Sequence, residues 1–103
     1  MTEQKIREFN QSQLEWYKKE VDWTIGQIKW ESERIKELKE EDKKALEFAW
    51  NTGVITPLDF DIFGKTGFTR KETKKAINRR AKLYRDRKYF EKMVAHYTEL
   101  VNA

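Results

Sequence analysis

Basic side chains are concentrated in the last third of this 103-residue sequence, at a spacing that suits one face of a helix. The stretch from 70 to 92 holds 11 Lys and Arg residues against 3 Asp and Glu residues. Residues three or four positions apart share one side of a helix. Six polar or basic residues follow that spacing: Lys71, Lys74, Lys75, Asn78, Lys82 and Arg85. Such a face neutralises phosphates, so the segment predicts nucleic-acid binding that weakens as salt rises.

The residues at the start of this segment have the spacing of two helices joined by a tight turn. Residues 61–78 read DIFGKTGFTRKETKKAIN, with Gly67 at the turn. Thr69 is the expected N-cap of the second helix, and with Glu72 it forms the capping-box pattern. Thr56, followed by a proline, predicts the start of the short first helix. Four apolar residues are expected to pack between the two helices: Ile62, Phe68, Ala76 and Ile77.

Over residues 58–80 the chain resembles the helix-turn-helix of bacterial and phage repressors. The resemblance rests on an apolar residue early in the first helix, a glycine turn, a Thr cap and an apolar pair in the second helix. It implies binding of double-stranded DNA, with the second helix in the major groove. Phe63 and Thr73 depart from the pattern, because these positions are usually small and aliphatic, respectively. By position, the resemblance assigns contacts with bases or nearby phosphates to Arg70, Lys71, Lys74 and Lys75, and contacts with phosphates to Thr69 and Asn78.

The distribution of charge favours a basic contact surface attached to an acidic scaffold. The net charge is +4, but residues 1–64 sum to −4 and residues 65–103 to +8. In composition the chain is similar to small phage-encoded proteins of Gram-positive bacteria, which implies a regulator of transcription or of a phage or mobile-element process. The alternative is a small phage-type inhibitor, such as an anti-CRISPR protein, that binds a host protein or ribonucleoprotein complex through its helices.

Heptad repeats predict the helices that position these residues. From Thr2 to Lys39 the sequence predicts one long helix with apolar stripes on two sides. Its aromatic stripe consists of Phe9, Trp16, Trp23 and Trp30, and its aliphatic stripe consists of Leu14, Val21, Ile28 and Ile35. A matching row in the last helix consists of Ala76, Leu83, Phe90 and Tyr97.

We therefore expect an all-α fold in which the long N-terminal helix packs antiparallel on the long C-terminal helix. In the expected alignment, the aromatic stripe faces the last helix, with Trp30 near Ala76 and Phe9 near Tyr97. Arg87 then lies opposite Glu20. The aliphatic stripe is left over as the seam of a homodimer, unless the short middle helices cover it.

The expected organisation is a single domain, 1–103. It contains a long helix over 1–40, the helix-turn-helix region over 41–80 and a long basic helix over 70–101. A bend is expected at residues 40–42, where the acid cluster Glu40, Glu41 and Asp42 is typical of a helix N-terminus. The helix after this bend is expected to stop at Gly53.

Composition also argues against several classes of function. There is no Cys and only one His, His96, so we expect neither a metal site nor a thiol nucleophile. No glycine-rich phosphate loop or Ser/His/Asp set is present, so we expect no cofactor and no enzyme activity. No segment is apolar enough to cross a bilayer and no signal-peptide pattern is present. The expected location is the cytoplasm of a bacterium or of a phage-infected host.

Overall fold

A computed structural model describes residues 2–103, apart from the side chains of residues 64–66. This part of the chain forms three helices: α1 (Glu3–Asn51), α2 (Pro57–Thr66) and α3 (Lys71–Asn102). The described residues include no strand, so the all-α class with long first and last helices is confirmed. The chain divides into two compact units: Met1–Trp30 with Arg80–Ala103, and Glu31–Arg79.

α1 continues without a break through the residues where we expected a bend. It spans 49 residues, and Glu40, Glu41 and Asp42 lie inside it. The interpretation of these acids as a helix N-terminus is therefore wrong. The physical reason is a partner on another helix: Asp42 is buried and forms an ion pair with Arg70.

The end of α1 and the start of α2 are fixed by local hydrogen bonds, as the sequence predicts. Gly53 has a positive φ of 73°, and the N–H groups of Gly53 and Val54 donate to the carbonyls of Trp50 and Ala49. This pattern is a Schellman motif, which favours glycine because φ is positive. Thr56 caps α2, and its hydroxyl accepts a hydrogen bond from the backbone N–H of Asp59.

The turn between α2 and α3 is also where the sequence predicts it, but the cap differs by one residue. Gly67 ends α2 with φ 80°, and its N–H donates to the Phe63 carbonyl at 2.8 Å. α3 begins at Lys71, and the Arg70 carbonyl accepts from the Lys74 N–H at 3.1 Å. Arg70 therefore occupies the N-cap position expected for Thr69. The hydrogen bonds of the described residues include no Thr69–Glu72 capping box.

In the unit that contains the chain termini, α1 and α3 pack through aliphatic and tyrosine side chains. Leu14 and Ile28 are buried. The Tyr17 ring stacks on Tyr97 with centroids 5.7 Å apart and lies 6.2 Å from Phe90. These contacts join residues of α1 directly to the apolar row predicted on α3.

In the unit Glu31–Arg79, the core is a small cluster of aliphatic side chains. Ile35 and Leu38 of α1 pack on Ala76 of α3, and Ile77 covers the cluster. Arg79 lies opposite Glu31, whereas Arg70 lies opposite Asp42. Residue numbers thus rise along α1 as they fall along α3, so the two helices run antiparallel here, as predicted.

The two stripes of α1 exchange the roles that we expected from the sequence. Leu14, Ile28 and Ile35 are buried within the chain and Val21 is half-buried, whereas each member of the aromatic stripe keeps about half or more of its surface exposed. Among the ring contacts of the described residues, one joins this stripe to α3 as predicted: Trp16 lies edge-to-face with Phe90 at 6.4 Å between centroids. The prediction that Leu14, Val21, Ile28 and Ile35 form a homodimer seam is wrong, because these residues lie on the face that packs on α3. The physical reason is size: aliphatic side chains permit the close approach of two helices that a row of tryptophans prevents.

The alignment of α1 with α3 also differs from the prediction by about two helical turns. Tyr97 stacks on Tyr17 instead of Phe9, and Ala76 packs on Ile35 and Leu38 instead of Trp30. The expected pair between Arg87 and Glu20 is wrong as well. Arg87 donates to Glu91 on its own helix at 2.9 Å.

Replacing Leu38 by Ala tests this core. Leu38 is only 2% exposed, so truncation leaves a cavity against Ala76. We expect the free energy of unfolding to fall by about 2–5 kcal/mol in a urea titration. Leu58→Ala is the matched control, because Leu58 is 69% exposed and its truncation removes little packing. Equal losses in the two variants would contradict the assigned core.

Candidate nucleic-acid interface

The described part of α3 carries an exposed row of basic side chains that begins in its first turn. Lys71, Lys74 and Lys75 are exposed, and the same face continues through Asn78. Further along α3, in the other unit, Lys82 and Arg85 are exposed at the same helical spacing. Among the described side chains, none of these five cations takes part in an ion pair. We call Lys71, Lys74, Lys75 and Asn78 the basic face.

The position of the basic face at the start of a helix is electrostatically unusual. The N-terminal end of a helix carries a partial positive charge, so cations there cost about 0.3–1 kcal/mol each. Glu72 is the acid of this first turn. Three lysines within the first five residues of α3 therefore oppose the helix dipole, and a bound anion would relieve that repulsion. Free backbone N–H groups of the first turn add further donors for such an anion.

Arg70 does not belong to the basic face, although the sequence assigns it to base or phosphate contacts. Its Nε donates to Oδ1 of Asp42, and its Nη2 donates to Oε2 of Glu41 at 3.1 Å. The Asp42 side chain is only 3% exposed, and that of Arg70 is 34% exposed. Arg70 thus anchors the start of α3 to α1. The assignment of Arg70 to nucleic acid is corrected for this reason.

The charges of this anchor stabilise each other. Burial opposes the ionisation of Asp42, but the hydrogen bond from Arg70 and the proximity of the Thr73 hydroxyl more than offset it, so its pKa lies below the ordinary value. The same contacts, with Asp42 first and Glu41 second, raise the pKa of Arg70. A charge pair of this kind fixes the direction in which α3 leaves the turn, and with it the direction of the basic face.

Thr69 and Thr73 occupy positions that the helix-turn-helix comparison singled out. Thr73 is fully buried, which agrees with a buried position in the motif, and its hydroxyl lies near Asp42 instead of in an apolar contact. Thr69 is half-buried in the turn. Since the N-cap position is Arg70, a phosphate contact from Thr69 has no support from the cap geometry.

The packing of α2 differs from the prediction made for the motif. Ile62, expected between α2 and α3, is 46% exposed. Ala76 and Ile77 pack with Ile35 and Leu38 of α1. α2 is instead attached through aromatic pairs: Phe60 lies 4.8 Å from Trp50, and Phe63 lies 5.2 Å from Phe68, between ring centroids.

The sequence analysis did not predict a second ion pair between α1 and α3. Arg79 donates to Oε1 of buried Glu31 at 3.2 Å. Arg79 and Arg70 are therefore not part of the exposed basic row, because both form ion pairs with acids of α1. Only the alignment of the helices identifies these partners, because Glu31 and Asp42 are 48 and 28 residues away, respectively, in the chain.

The described part of the chain contains neither a cluster of metal-binding side chains nor a helix suited to cross a membrane. No group of three or more His, Asp or Glu side chains there is arranged to hold a metal ion. Nor does any described helix combine the length and the apolar character needed to cross a membrane. The chain matches no protein-family model, and no significantly similar curated protein or solved structure was found.

Arg70 and its neighbour Lys71 offer a matched test of the anchor. We expect Arg70→Gln to lower the urea midpoint clearly at pH 7, because Asp42 is left buried without its partner. Lys71→Gln removes the same charge from an exposed side chain and should leave the midpoint nearly unchanged.

The pH dependence of the free energy of unfolding provides a second test of this anchor. Because the pKa of Asp42 is depressed in the folded chain, its stabilising effect is present above the unfolded pKa of about 3.9 and is lost as pH falls through the folded value. The stability difference between the original chain and Arg70→Gln should therefore shrink between pH 7 and pH 3. A difference that stays constant or grows in acid would contradict the anchor.

Proposed function

We propose that the chain binds double-stranded DNA through the basic face of α3, as a regulator of transcription or of a phage or mobile-element process. The observation that carries this proposal is the group of three exposed lysines, without ion-pair partners among the described side chains, at the N-terminal end of a helix. Phosphate groups are the ligands that suit both the lysines and the helix dipole.

The shape of the surface favours an extended polyanion over a small anion. The basic face follows one side of α3 from Lys71 to Asn78, within the unit Glu31–Arg79. At 1.5 Å per residue these positions extend over about 10 Å, which is longer than one phosphate group and suits successive phosphates of a DNA strand. A small phosphate compound would need converging donors, whereas this row is linear.

Duplex DNA is further supported by the elements around the basic face. α2 ends at Thr66 and α3 begins at Lys71, so two helices are joined by a four-residue connection where the sequence resembles a helix-turn-helix. An exposed helix that follows such a turn has the diameter to enter the major groove. There, Asn78 has donors and an acceptor suited to an adenine edge.

A salt titration of binding to a random-sequence duplex tests the proposal. We expect fluorescence anisotropy to show binding at low salt that weakens steeply as salt rises. The variant Lys71→Gln, Lys74→Gln, Lys75→Gln should reduce the slope of log K against log salt by about 2.7, since each phosphate contact contributes about 0.9.

The matched control removes the same charge from exposed lysines of α1: Lys36→Gln, Lys39→Gln, Lys43→Gln. This control should keep the slope of the original chain. Absence of binding at low salt, an equal loss of slope in the control, or binding to single strands alone would contradict the proposal.

A further inference from the structure

Four large aromatic side chains of α1 lie on the surface along one side of the helix, all within the unit that contains the chain termini. They recur every seven residues, and each keeps at least half of its surface exposed: Phe9 52%, Trp16 50%, Trp23 57% and Trp30 57%. We call these four residues the aromatic face. Contiguous apolar patches of this kind on soluble chains usually mark binding surfaces.

Gly26 lies on the same side of α1, between Trp23 and Trp30. A glycine inside a helix costs about 1 kcal/mol relative to alanine. Packing within the described part of the chain does not require this glycine, because a Cβ built at Gly26 would meet no atom within 4 Å. Gly26 therefore leaves a gap on the surface of α1 between Trp23 and Trp30.

We propose that this gap is filled by the aromatic face of a second copy of the chain, bound antiparallel. The aromatic face alternates with smaller or polar residues three positions later, namely Ser12, Lys19 and Gly26. When Trp23 of one copy lies over Lys19 of the other, the antiparallel direction places Trp16 over Gly26 and Trp30 over Ser12. Each of the three tryptophans then lies over a small or flexible residue of the second copy.

The parallel arrangement does not have this complementarity. It would place each tryptophan against its own copy and Gly26 against Gly26, which alternates crowded layers with empty ones. The antiparallel arrangement also brings the Lys19 ammonium over the face of Trp23, where a cation is attracted by the ring. The two-fold symmetry makes every one of these contacts occur twice.

The area of the aromatic face is suited to a dimer of modest affinity. A buried aromatic side chain contributes about 150–250 Å², so four that are half exposed offer roughly 400 Å² per copy and about 800 Å² in a pair. The flanking side chains and the stems of the lysines extend this towards the ~1,200 Å² at which specific interfaces begin. We therefore expect reversible dimerisation in the micromolar range.

Charges on one edge of the aromatic face provide a marker of the same direction. Glu15, Asp22 and Lys29 are exposed and recur every seven residues along this edge. In the antiparallel pair, Glu15 of each copy lies near Lys29 of the other, and Asp22 lies near Asp22 of the other. The two attractive contacts and the central repulsion are all solvated, so the edge contributes little to affinity and serves to report the alignment.

Sedimentation velocity over the micromolar range tests the dimer directly. Trp23→Gln should weaken dimerisation by at least about tenfold, because it removes a central aromatic contact. Ile25→Gln is the matched control: Ile25 is also exposed and apolar, but it lies off the aromatic face and should leave dimerisation unchanged. A strict monomer at all concentrations, or equal effects of the two substitutions, would overturn the proposal.

Gly26→Gln separates dimerisation from folding. The substitution improves helix propensity and has open space in its own chain, so the thermal midpoint should not fall when it is measured at a concentration where the chain is monomeric. Dimerisation should nevertheless weaken by about tenfold or more, because the new side chain occupies the position of Trp16 of the second copy. Unchanged dimerisation would overturn the proposed alignment.

An exchange of charges tests the antiparallel direction. Glu15→Lys or Lys29→Glu alone should weaken dimerisation by roughly threefold, and the double variant should recover the original affinity. Additive losses in the double variant would rule out the contact between Glu15 and Lys29 of the second copy.

Discussion

A helix can turn only one face towards a single partner helix, and α1 has apolar residues on two faces. The structure resolves this constraint by burying the aliphatic face against α3 and leaving the aromatic face about half exposed, with Trp16 also in contact with Phe90 of α3. Most of the other features follow from that choice. It fixes the antiparallel contact in each compact unit, it selects Glu31 and Asp42 as the acids that meet α3, and it leaves four aromatic side chains exposed.

The ion pairs along α3 then divide its basic residues into two groups. Arg70 and Arg79 pair with acids of α1, whereas Lys71, Lys74 and Lys75 remain exposed. Charge count alone cannot make this division, since all five lie in one basic segment. The division is also chemically sensible: the planar guanidinium of Arg forms the buried and directional contacts, and the flexible ammonium of Lys stays in water. The scaffold and the proposed DNA surface are thus two faces of the same helix.

Local features of the sequence predicted much of the fold. Gly53, Thr56 and Gly67 mark helix ends because a positive φ or a capping hydroxyl is a strictly local requirement. The antiparallel contact of the long helices followed from matched heptads. The sequence did not predict which of the two stripes of α1 packs on α3. Periodicity shows which residues share a side of the helix, but it does not show how closely their side chains allow a second helix to approach. The predicted alignment of α1 with α3 was also wrong. Heptad spacing does not identify the contacts that accompany the observed alignment, namely the stacking of Tyr17 on Tyr97 and two ion pairs.

For the candidate site, the row of exposed lysines was predicted and the role of Arg70 was not. The side chain at position 70 differs from its neighbour at position 71 only through a partner on α1, which no local pattern identifies. The central claim is that the exposed face of α3, and not the aromatic face of α1, contacts DNA. The most direct measurement is an NMR titration of the labelled chain with duplex DNA. Binding through α3 should shift the signals of Lys71, Lys74, Lys75 and Asn78. Shifts confined to the indole signals of Trp16, Trp23 and Trp30, or no shifts at low salt, would contradict it.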